Sequence, residues 1–486
     1  MNHRVLIVGS GGREHAIAHK IAESNRCEAL YVAPGNAGTT EIALNLNIGV
    51  DQFTELGQAC LEHNITMLIV GPEVPLVKGI VDFFQNDPSL SSILVVGPDA
   101  VAAQLEGSKD FAKAFMHKYG VPTAAYQTFT SENIEEGYKF LESLNPPYVL
   151  KADGLAAGKG VLILDKLSEA QNELAQFLTH NSFGEAGQKV VIEEFLDGIE
   201  CSCFVLVDNT GSYQILPLAK DYKRIGEGDT GLNTGGMGAI SPVPFVNDQL
   251  FERIENEVVK PTVKGVKAEN YNYKGIIFIG LMVVMGKPYV IEYNVRMGDP
   301  ETEVVFPRIE SDGVDLFEAI AQGALSSVEL SINPQTAATV IAVSGGYPEA
   351  YEKNKKIKGL DQVTESVVFH AGTTLKEGEV FTSGGRVLAL TSFGKDKDEA
   401  LAHLPAFEVH DELYTDLLLE PGVQVLASAH SLAMPEPQPI VWSHTVGPGR
   451  VIYDALGHDS ESLCHPVHAQ LLRESVKWAL EEGNPR

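Results

Sequence analysis

Four short apolar segments in the first hundred residues, each followed by glycine or proline-glycine, alternate with stretches of helical periodicity. The segments lie at residues 5–8, 29–32, 67–70 and 93–96. Short buried strands that alternate with helices are typical of βαβ units, in which the strands run parallel because a helix returns the chain after each one. The pattern therefore predicts an N-terminal Rossmann-like α/β domain over residues 1–102.

The rest of the chain is long enough for further domains, since 486 residues exceed the usual domain size of about 100 to 200 residues. Residues 103–325 show helices, strands and two glycine-rich loops, which predicts an α+β domain. Residues 326–400 predict a small β-rich domain. Beyond residue 400 proline becomes dense and seven of the fourteen histidines occur. We therefore place a domain boundary near residues 400 to 407.

Acidic residues outnumber basic ones, with 65 Asp and Glu against 36 Lys and Arg and a net charge of -29. Such a charge repels phosphate backbones and anionic lipid, so we expect neither nucleic acid nor a membrane as a partner. Small anionic ligands are not excluded, because local glycine loops and cations bind phosphate whatever the global charge. Five scattered cysteines, no signal-like N-terminus and no apolar run of about 18 residues predict a reduced, cytoplasmic protein.

The turn after the first strand resembles a dinucleotide-binding fingerprint but lacks two of its features. Its sequence over residues 9–15 is Gly-Ser-Gly-Gly-Arg-Glu-His, so Glu14 stands at the third glycine position. The second strand ends in Ala-Pro-Gly-Asn, without the acidic residue that would bind an adenosine ribose. NAD is therefore disfavoured, and what remains is a helix N-terminus with free N–H groups plus Arg13, which suits one phosphate. The alternative is a turn that only lets the helix pack closely.

A second glycine-rich segment, residues 153–160, lies between two strand-like runs. The first run, 148–151, delivers Lys151 into the segment, and the second follows at 161–164. A P-loop would lead into a helix instead. A flap between antiparallel strands can cover nucleotide phosphates with backbone N–H groups, while Lys151 and Lys109 supply positive charge. We therefore predict a nucleotide-phosphate site.

The strand at 190–193 leads into a turn rich in acidic residues. Glu193 and Glu194 end the strand and Glu200 follows the turn. Such a segment can pair an adenine with its backbone and offer a carboxylate to ribose hydroxyls. Taken alone, two surface glutamates are usually only hydrated. The interpretation as a nucleoside-binding segment therefore depends on their position after the glycine-rich segment 153–160.

Residues 289–296 carry the most specific local chemistry, Tyr-Val-Ile-Glu-Tyr-Asn-Val-Arg. A strand has a side-chain period of two, so Glu292, Asn294 and Arg296 project from one face. Two oxygen ligands beside a guanidinium suit magnesium bound to nucleotide phosphates. Three polar residues on one face of an apolar strand are unfavourable unless they bind something.

A third glycine-rich segment, residues 226–238, holds six glycines in thirteen residues. Glycines add entropy to the unfolded chain, so such a loop is more typical of close approach to a ligand than of packing. A flexible linker is the alternative.

Ordered motifs along most of the chain resemble those of the GAR synthetase family, the phosphoribosylamine-glycine ligases of the ATP-grasp superfamily. The motifs lie at residues 9–15, 34–38, 71–73, 105–109, 151–160, 233–238, 298–301 and 369–373. The resemblance covers about residues 1–400. It implies an N-terminal pre-ATP-grasp domain, an ATP-grasp domain with a flap at about 122–190, and a small C-terminal ligase domain.

The resemblance also implies a reaction and a set of site residues. ATP would phosphorylate glycine, and 5-phosphoribosylamine would attack the glycyl phosphate to give glycinamide ribonucleotide, ADP and phosphate in purine biosynthesis. Glu292 and Asn294 would bind Mg²⁺ or Mn²⁺. The residues expected to bind ATP are Lys109, Lys151, Gly154, Gly158, Gly160, Glu193, Leu196 and Glu200. Those expected around the reacting phosphate are Arg296, Asn233, Gly235 and Gly236. Those expected on the substrate side are Gly11, Gly12, Arg13, Asn36, Ala37, Gly38 and Asp299.

The resemblance ends near residue 400. Residues 407–414, 439–442, 449–453 and 456–459 are instead similar to the C-terminal end of the trehalose-utilisation (ThuA-like) family. This similarity implies that residues 401–486 are an appended, partial α/β segment. The histidines of this segment fit no tight metal-ligand spacing, so we interpret them as polar residues of a truncated domain. We expect the ligase part to be a monomer.

Two other functions are compatible with the residues. One is an ATP-grasp ligase for another carboxylate and amine, and the other is a ligase-derived binding protein without activity. Retention of Glu292, Asn294, Arg296 and both lysines argues against the second, since an inactive site need not keep them.

Overall fold

The structure, a computed structural model, describes residues 2–154, 160–180, 188–226 and 230–395, and the backbone of three strands between 424 and 454. The chain forms two compact units, Met1–Pro334 and Gln335–Arg486. The finer boundaries at 102, 325 and 400 stay predictions. No helix in the described ranges is long and apolar enough to cross a membrane.

The first hundred residues of the first unit alternate strands and helices as predicted. The elements are β1 (His3–Gly9), α1 (Gly12–Ala22), β2 (Cys27–Pro34), β3 (Leu44–Asn45), α2 (Phe53–Glu62), β4 (Met67–Val70), α3 (Glu73–Val77), α4 (Ile80–Asn86) and β5 (Leu94–Pro98). The five strands are parallel, in the order β5-β4-β1-β2-β3. Strand β4 is apolar throughout and all four of its residues are buried, as is typical of a parallel sheet that is covered on both faces.

The rest of the first unit is α+β. Its elements are α5 (Gln104–Gly107), α6 (Lys109–Tyr119), β6 (Tyr126–Phe129), α7 (Ile134–Ser143), β7 (Tyr148–Ala152), β8 (Val161–Leu164), α8 (Leu167–His180), β9 (Val190–Glu193), β10 (Ile199–Val207), β11 (Tyr213–Ile215), β12 (Lys220–Gly226), β13 (Thr230–Ser241), α9 (Asp248–Arg253), a π-helical turn (Ile254–Val259), α10 (Lys260–Ala268), β14 (Tyr273–Val284), β15 (Lys287–Asn294), α11 (Thr302–Val305) and α12 (Gly313–Gln322).

Two sheets organise this region. Strands β6-β9-β7-β8 form an antiparallel sheet that packs with α7 and α8 around its own core, which includes Phe129, Leu150 and Phe177. Strand β14 pairs with β10 and β15, and its first residues also pair with the end of β5. The large strand layer is therefore continuous from the N-terminal region to β15, the strand that carries Glu292.

The glycine-rich segment at 226–238 is not the loop that the sequence predicted. Its described residues belong to β12 and β13, which pair as antiparallel strands with irregular register near Arg224. Gly231 and Gly236 adopt positive φ angles of 80° and 111°, which glycine tolerates at low cost. The glycines thus permit an irregular hairpin, and sequence reasoning mistook their number for the absence of a strand.

The described strands of the second unit pair in antiparallel fashion. Its elements are β16 (Thr336–Val343), β17 (Val367–His370), β18 (Thr373–Lys376), β19 (Glu379–Thr382), β20 (Arg386–Gly394), β21 (Gln424–Ser431), β22 (Met434–Val446) and β23 (Gly449–Asp454). Strand β20 pairs with β16 and β17, β18 pairs with β19, and β22 pairs with β21 and β23. Most of the ThuA-like segment lies outside the described residues, and that resemblance stays a prediction.

Candidate active site

The three predicted polar residues form one connected group at the end of β15, although the strand ends at Asn294 and Arg296 lies two positions beyond it. Asn294 Nδ2 donates to Glu292 Oε1 at 3.4 Å, and Arg296 Nη2 donates to Asn294 Oδ1 at 3.1 Å. Glu292 lies opposite Gly280 of β14, where a Cβ would come within 3.2 Å of Glu292 Cγ. The alternation predicted from the sequence therefore brings these side chains together, and a glycine on the neighbouring strand leaves room for the carboxylate.

The Glu292 carboxylate lies among cations. Its side chain is open to solvent, although protein surrounds it on the remaining sides. That surrounding protein would raise the pKa of Glu292, but the charges of Lys223, Lys151 and Lys109, with the hydrogen bond from Asn294, lower it below its usual value. The group is therefore ionised at neutral pH and suits a divalent cation.

Lys109 and Lys151 hold the base of the predicted flap. Lys109 Nζ donates to Gly154 O at 3.1 Å, and Lys151 Nζ lies 3.0 Å from Glu193 Oε1 and 3.4 Å from Ile291 O. Burial lowers the pKa of Lys109, and nearby Lys151 lowers it further, although Glu292 acts in the opposite direction. Both lysines thus lie beside the end of β15.

The two ends of the glycine-rich segment 153–160 are anchored by hydrogen bonds. Asp153 Oδ1 accepts from Ser108 Oγ at 2.9 Å and from the Asp110 N–H at 2.8 Å, which joins the flap to the N-terminus of α6. Ala152 N donates to Gly160 O at 2.8 Å. Gly158 lies outside the described residues, so its expected contact with ATP stays a prediction.

The carboxylate of Glu193 does not point to an open ribose site. It is buried at the end of β9, with Lys113 Nζ 3.0 Å from Oε2 and Lys151 Nζ 3.0 Å from Oε1. Sequence reasoning missed Lys113, one helical turn after Lys109. Glu193 therefore helps to position a lysine, while its backbone leads into the half-buried Leu196.

Lys223 of β12 is a second cation that the sequence analysis did not include. Its Nζ donates to Glu200 Oε2 at 2.6 Å and lies 3.8 Å from Asp221 Oδ2. Partial burial opposes its charge, but Asp221, Glu200 and Glu292 raise its pKa above the usual value. The period-two spacing of Asp221 and Lys223 was the available sequence signal. Glu200 thus faces a lysine on the same side of the site as Glu292.

The predicted phosphate-proximal residues of β13 lie on the hairpin beside Lys223. Asn233 pairs with Arg224 and is exposed, as is Gly235, whereas Gly236 is buried. Thr234 Oγ1 donates to Lys223 O at 2.8 Å and accepts from the Gly236 N–H at 3.0 Å. The hairpin therefore connects directly to the lysine that faces Glu292.

Arg296 is held by two carboxylates that the sequence analysis did not assign. Glu106 Oε1 lies 2.8 Å from Arg296 Nη2, and Glu73 Oε2 lies 3.4 Å from Arg296 Nε. Glu106 Oε2 also accepts from the Val295 N–H at 2.8 Å. Burial raises the pKa of Glu106, and the Arg296 charge opposes that effect. The guanidinium orientation is thus set by residues far away in sequence.

The expectation of free N–H groups at the start of α1 is wrong for Gly11. The Gly11 N–H donates to Glu14 Oε2 at 2.6 Å, and Arg13 Nε donates to Glu14 Oε1 at 2.6 Å. A Cβ on Gly9 or Gly71 would lie 2.3 or 2.1 Å from the Glu14 side chain. The residue at the third glycine position therefore fills the helix N-terminus with its own carboxylate, where a dinucleotide phosphate would bind.

The remaining substrate-side residues cluster around this turn. Asn36 Nδ2 donates to Ser10 O at 3.0 Å, while Asn36 Oδ1 accepts from the Gly38 N–H at 2.9 Å. Ala37, which lies between Asn36 and Gly38 in the sequence, is buried, and so is Gly12 at the start of α1. A Cβ on Gly11 would lie 3.1 Å from Asp299 Oδ2. The structure thus brings the two loops and Asp299 together, with Asn36 organising its own loop.

Three family profiles match consecutive parts of the chain. They are described as the N domain, the ATP-grasp (A) domain and the C domain of phosphoribosylglycinamide synthetase, and they match residues 3–106, 107–302 and 337–407. Most of the first unit and the described N-terminal part of the second are thus covered.

Curated relatives and solved structures agree with the profiles. The phosphoribosylamine-glycine ligase of Neisseria meningitidis serogroup B is 47% identical over 404 residues, 82% of this chain and 93% of that protein. The enzyme of the same name from Vibrio vulnificus is 48% identical over 403 residues, 82% of this chain and 92% of its own length.

Two solved structures extend the comparison to the fold. The Thermotoga maritima phosphoribosylamine-glycine ligase has a TM-score of 0.70 at 37% identity, covering 82% of this chain and 94% of that one. A Hydrogenobacter thermophilus biotin carboxylase domain solved with MgADP has a TM-score of 0.62 at 17% identity, over 82% and 88% of the two chains, and shows the fold alone. The chain therefore belongs to the phosphoribosylglycinamide synthetase (phosphoribosylamine-glycine ligase) family and is an ATP-dependent ligase of the ATP-grasp type.

Proposed function

We propose that this protein joins glycine to 5-phosphoribosylamine at the expense of ATP, and that it forms glycinamide ribonucleotide, ADP and phosphate. One observation carries the proposal: Glu292, Asn294 and Arg296 form a connected group at the end of β15, with Lys109, Lys151 and Lys223 around it. Such a site suits the transfer of a phosphoryl group, since that chemistry needs positioning and cationic charge more than a protein nucleophile.

We infer that Glu292 and Asn294 bind the divalent cation, Mg²⁺ or Mn²⁺. The donor set fits, because an ionised carboxylate and a side-chain amide oxygen are the hard ligands that these ions prefer. Among the described residues, no three His, Cys, Asp or Glu side chains cluster as metal ligands. Two protein ligands suit Mg²⁺, which usually completes its shell with waters and substrate phosphates. When bound, the ion would neutralise charge on the nucleotide phosphates.

The other residues would orient the reactants. Lys109 and Lys151 would hold the nucleotide phosphates beneath the flap, with the 194–198 segment and Glu200 beside the nucleoside. Arg296, fixed by Glu106 and Glu73, would stabilise the charge on the phosphoryl group as it passes to the glycine carboxylate. The amine of 5-phosphoribosylamine would then attack the glycyl carbon, and phosphate would leave.

Arg13, at the turn that begins α1, and the Asn36 loop would hold the ribose phosphate beside the helix N-terminus, where Glu14 already accepts from the Gly11 N–H. Arg13 supplies the charge for this role, although its guanidinium also pairs with Glu14 and donates to Met297 O at 3.1 Å. That last contact joins the turn to the segment just beyond Arg296. It is consistent with the second substrate approaching from the N-terminal side of the reacting phosphate.

The test is ADP release with each reactant omitted in turn. Phosphoribosylamine is generated in the cuvette from ribose 5-phosphate and ammonia, and ADP is followed by a coupled assay. We expect turnover to need glycine, with alanine and serine as poor replacements. In the absence of the amine, hydroxylamine should trap the acyl phosphate as glycine hydroxamate. ADP release that depends on another amino acid would refute the choice of substrate, and a failure to bind ATP would refute the proposal as a whole.

A further inference from the structure

One lysine of the first unit is fully buried and has no place in the mechanism above. Lys113 lies on α6, one turn after Lys109, and is 2% exposed. Burying an ammonium group is costly unless it is paired, because the interior does not solvate charge as water does. The partners of Lys113 therefore indicate why it is there.

The Lys113 ammonium has three neighbours. Its Nζ lies 3.0 Å from Glu193 Oε2, donates to Thr123 Oγ1 at 2.7 Å and lies 5.6 Å from the centre of the Tyr126 ring. Thr123 Oγ1 donates in turn to Val290 O of β15 at 2.6 Å. Lys113 thus links α6 both to Glu193 and, through Thr123, to the strand that carries Glu292.

Glu193 lies between two buried lysines, Lys113, which is 2% exposed, and Lys151, which is 5% exposed. Its Oε2 pairs with Lys113 and its Oε1 with Lys151, each at 3.0 Å. A carboxylate paired with Lys151 alone would cancel the charge of that lysine. With Lys113 present, the three groups carry one net positive charge, and Lys151 lies on the side of Ile291 and the flap.

We propose that Lys113 is a positioning residue for nucleotide binding: it balances Glu193 and so leaves the charge of Lys151 available to ATP. The inference rests on the proposed nucleotide site around Lys151. Lys113 itself does not touch the substrate, and it acts through Glu193. Glu193 fixes the position of Lys151. Lys113 balances the charge of Glu193, so the charge of Lys151 is not neutralised.

The titration of Lys113 provides an independent readout. Burial lowers the pKa of Lys113 to about 8, and the charge of Lys151 lowers it further, while Glu193 and Glu194 act in the opposite direction. The Tyr126 ring also faces the ammonium. The charge that balances Glu193 is therefore present below about pH 8 and is lost above it, so nucleotide affinity should fall as the pH rises through that value.

The decisive experiment is a double-mutant cycle on nucleotide binding. The dissociation constant of AMP-PNP with Mg²⁺ is measured by calorimetry for wild type, K113M, E193Q and K113M/E193Q. We expect K113M to weaken binding about tenfold, the size of one charge-assisted contact. In the E193Q background the same change should cost less than about twofold, because no carboxylate remains to be balanced. Equal costs in both backgrounds, or unchanged binding by K113M, would overturn the proposal.

Two controls separate this role from a purely structural one. K118M removes a lysine of the same helix that is exposed and paired with Glu269, and it should bind nucleotide like wild type. K113R keeps the charge at this position, so its affinity should fall less than that of wild type from pH 7 to 9. If K113M does not fold, the pH profiles of wild type and K113R test the inference in place of the mutant cycle. Identical pH profiles of these two proteins would refute it. Wild type that fails to bind AMP-PNP at all refutes the proposed function instead.

Discussion

Replacement of Glu106 by glutamine should separate catalysis from stability. Glu106 contacts Arg296 Nη2 through Oε1 and the Val295 N–H through Oε2, each at 2.8 Å, and its side chain is 6% exposed. Glutamine has the same shape and keeps an acceptor for Val295. It removes the negative charge that holds the guanidinium, so the change tests whether Arg296 must be held in place.

The magnitude follows from the contacts that Arg296 keeps. A hydrogen bond between charged groups contributes about 1.5–3 kcal/mol. Arg296 retains Asn294 Oδ1 at 3.1 Å, Met297 O at 3.1 Å and Glu73 at 3.4 Å, so we take the lower part of that range. A loss of about 1.5–2 kcal/mol from the transition state corresponds to a kcat about 10- to 30-fold lower.

Stability should change little in the same variant. Burial raises the pKa of Glu106 despite the neighbouring Arg296, which means that the ionised carboxylate is less favourable in the folded protein than in water. Removing that charge should therefore leave the free energy of unfolding within about 1 kcal/mol of wild type, even though Arg296 loses a partner.

The assay combines steady-state ADP release with urea unfolding. E28Q is the matched control, since Glu28 Oε1 also lies 2.8 Å from an arginine, Arg4 Nη1, but on the exposed surface. Its kcat and stability should equal those of wild type. A kcat of E106Q within twofold of wild type would refute the role of Glu106. A large loss of stability together with kcat would show that the carboxylate supports the fold instead.

Three further changes test other parts of the structure. Glu292→Gln should lower kcat by about 100-fold or more and raise the Mg²⁺ concentration needed for half activity, while the fold stays intact; an unchanged Mg²⁺ titration would exclude the metal assignment. Gly71→Ala would place a Cβ 2.1 Å from Glu14 Oε1, so it should destabilise the protein by about 2 kcal/mol in urea unfolding. The control is Gly345→Ala, whose Cβ would meet no atom of the described residues within 4 Å, and equal losses would contradict the steric argument. Burial lowers the pKa of His370 to about 4, so the unfolded chain binds a proton that the folded chain does not. Stability should fall by up to about 3 kcal/mol as the pH drops from about 6.5 to 4, and His370→Gln should abolish that part of the pH dependence.

Much of the fold could be predicted because it depends on local periodicity. The parallel strands near the N-terminus were visible as apolar runs, and Glu292 with Asn294 was visible as alternation along one strand. The hairpin of β12 and β13 could not be predicted, because the glycines that permit its irregular register also resemble a loop. Glycine content reports which backbone angles are accessible, and it does not report whether a partner strand is present.

By itself, the sequence determined the βαβ start, the polar face of β15 and the lysines beside the flap, since each depends on residues close together along the chain. The tertiary structure alone decided which charges meet. Glu106 reaches Val295 across 189 positions, and Glu193 pairs with Lys113 from another part of the first unit. Glu14 fills a helix N-terminus between Gly9 and Gly71. Pairing and desolvation of charges act through space, so their outcome depends on the packed neighbours and cannot be seen in the spacing of a motif.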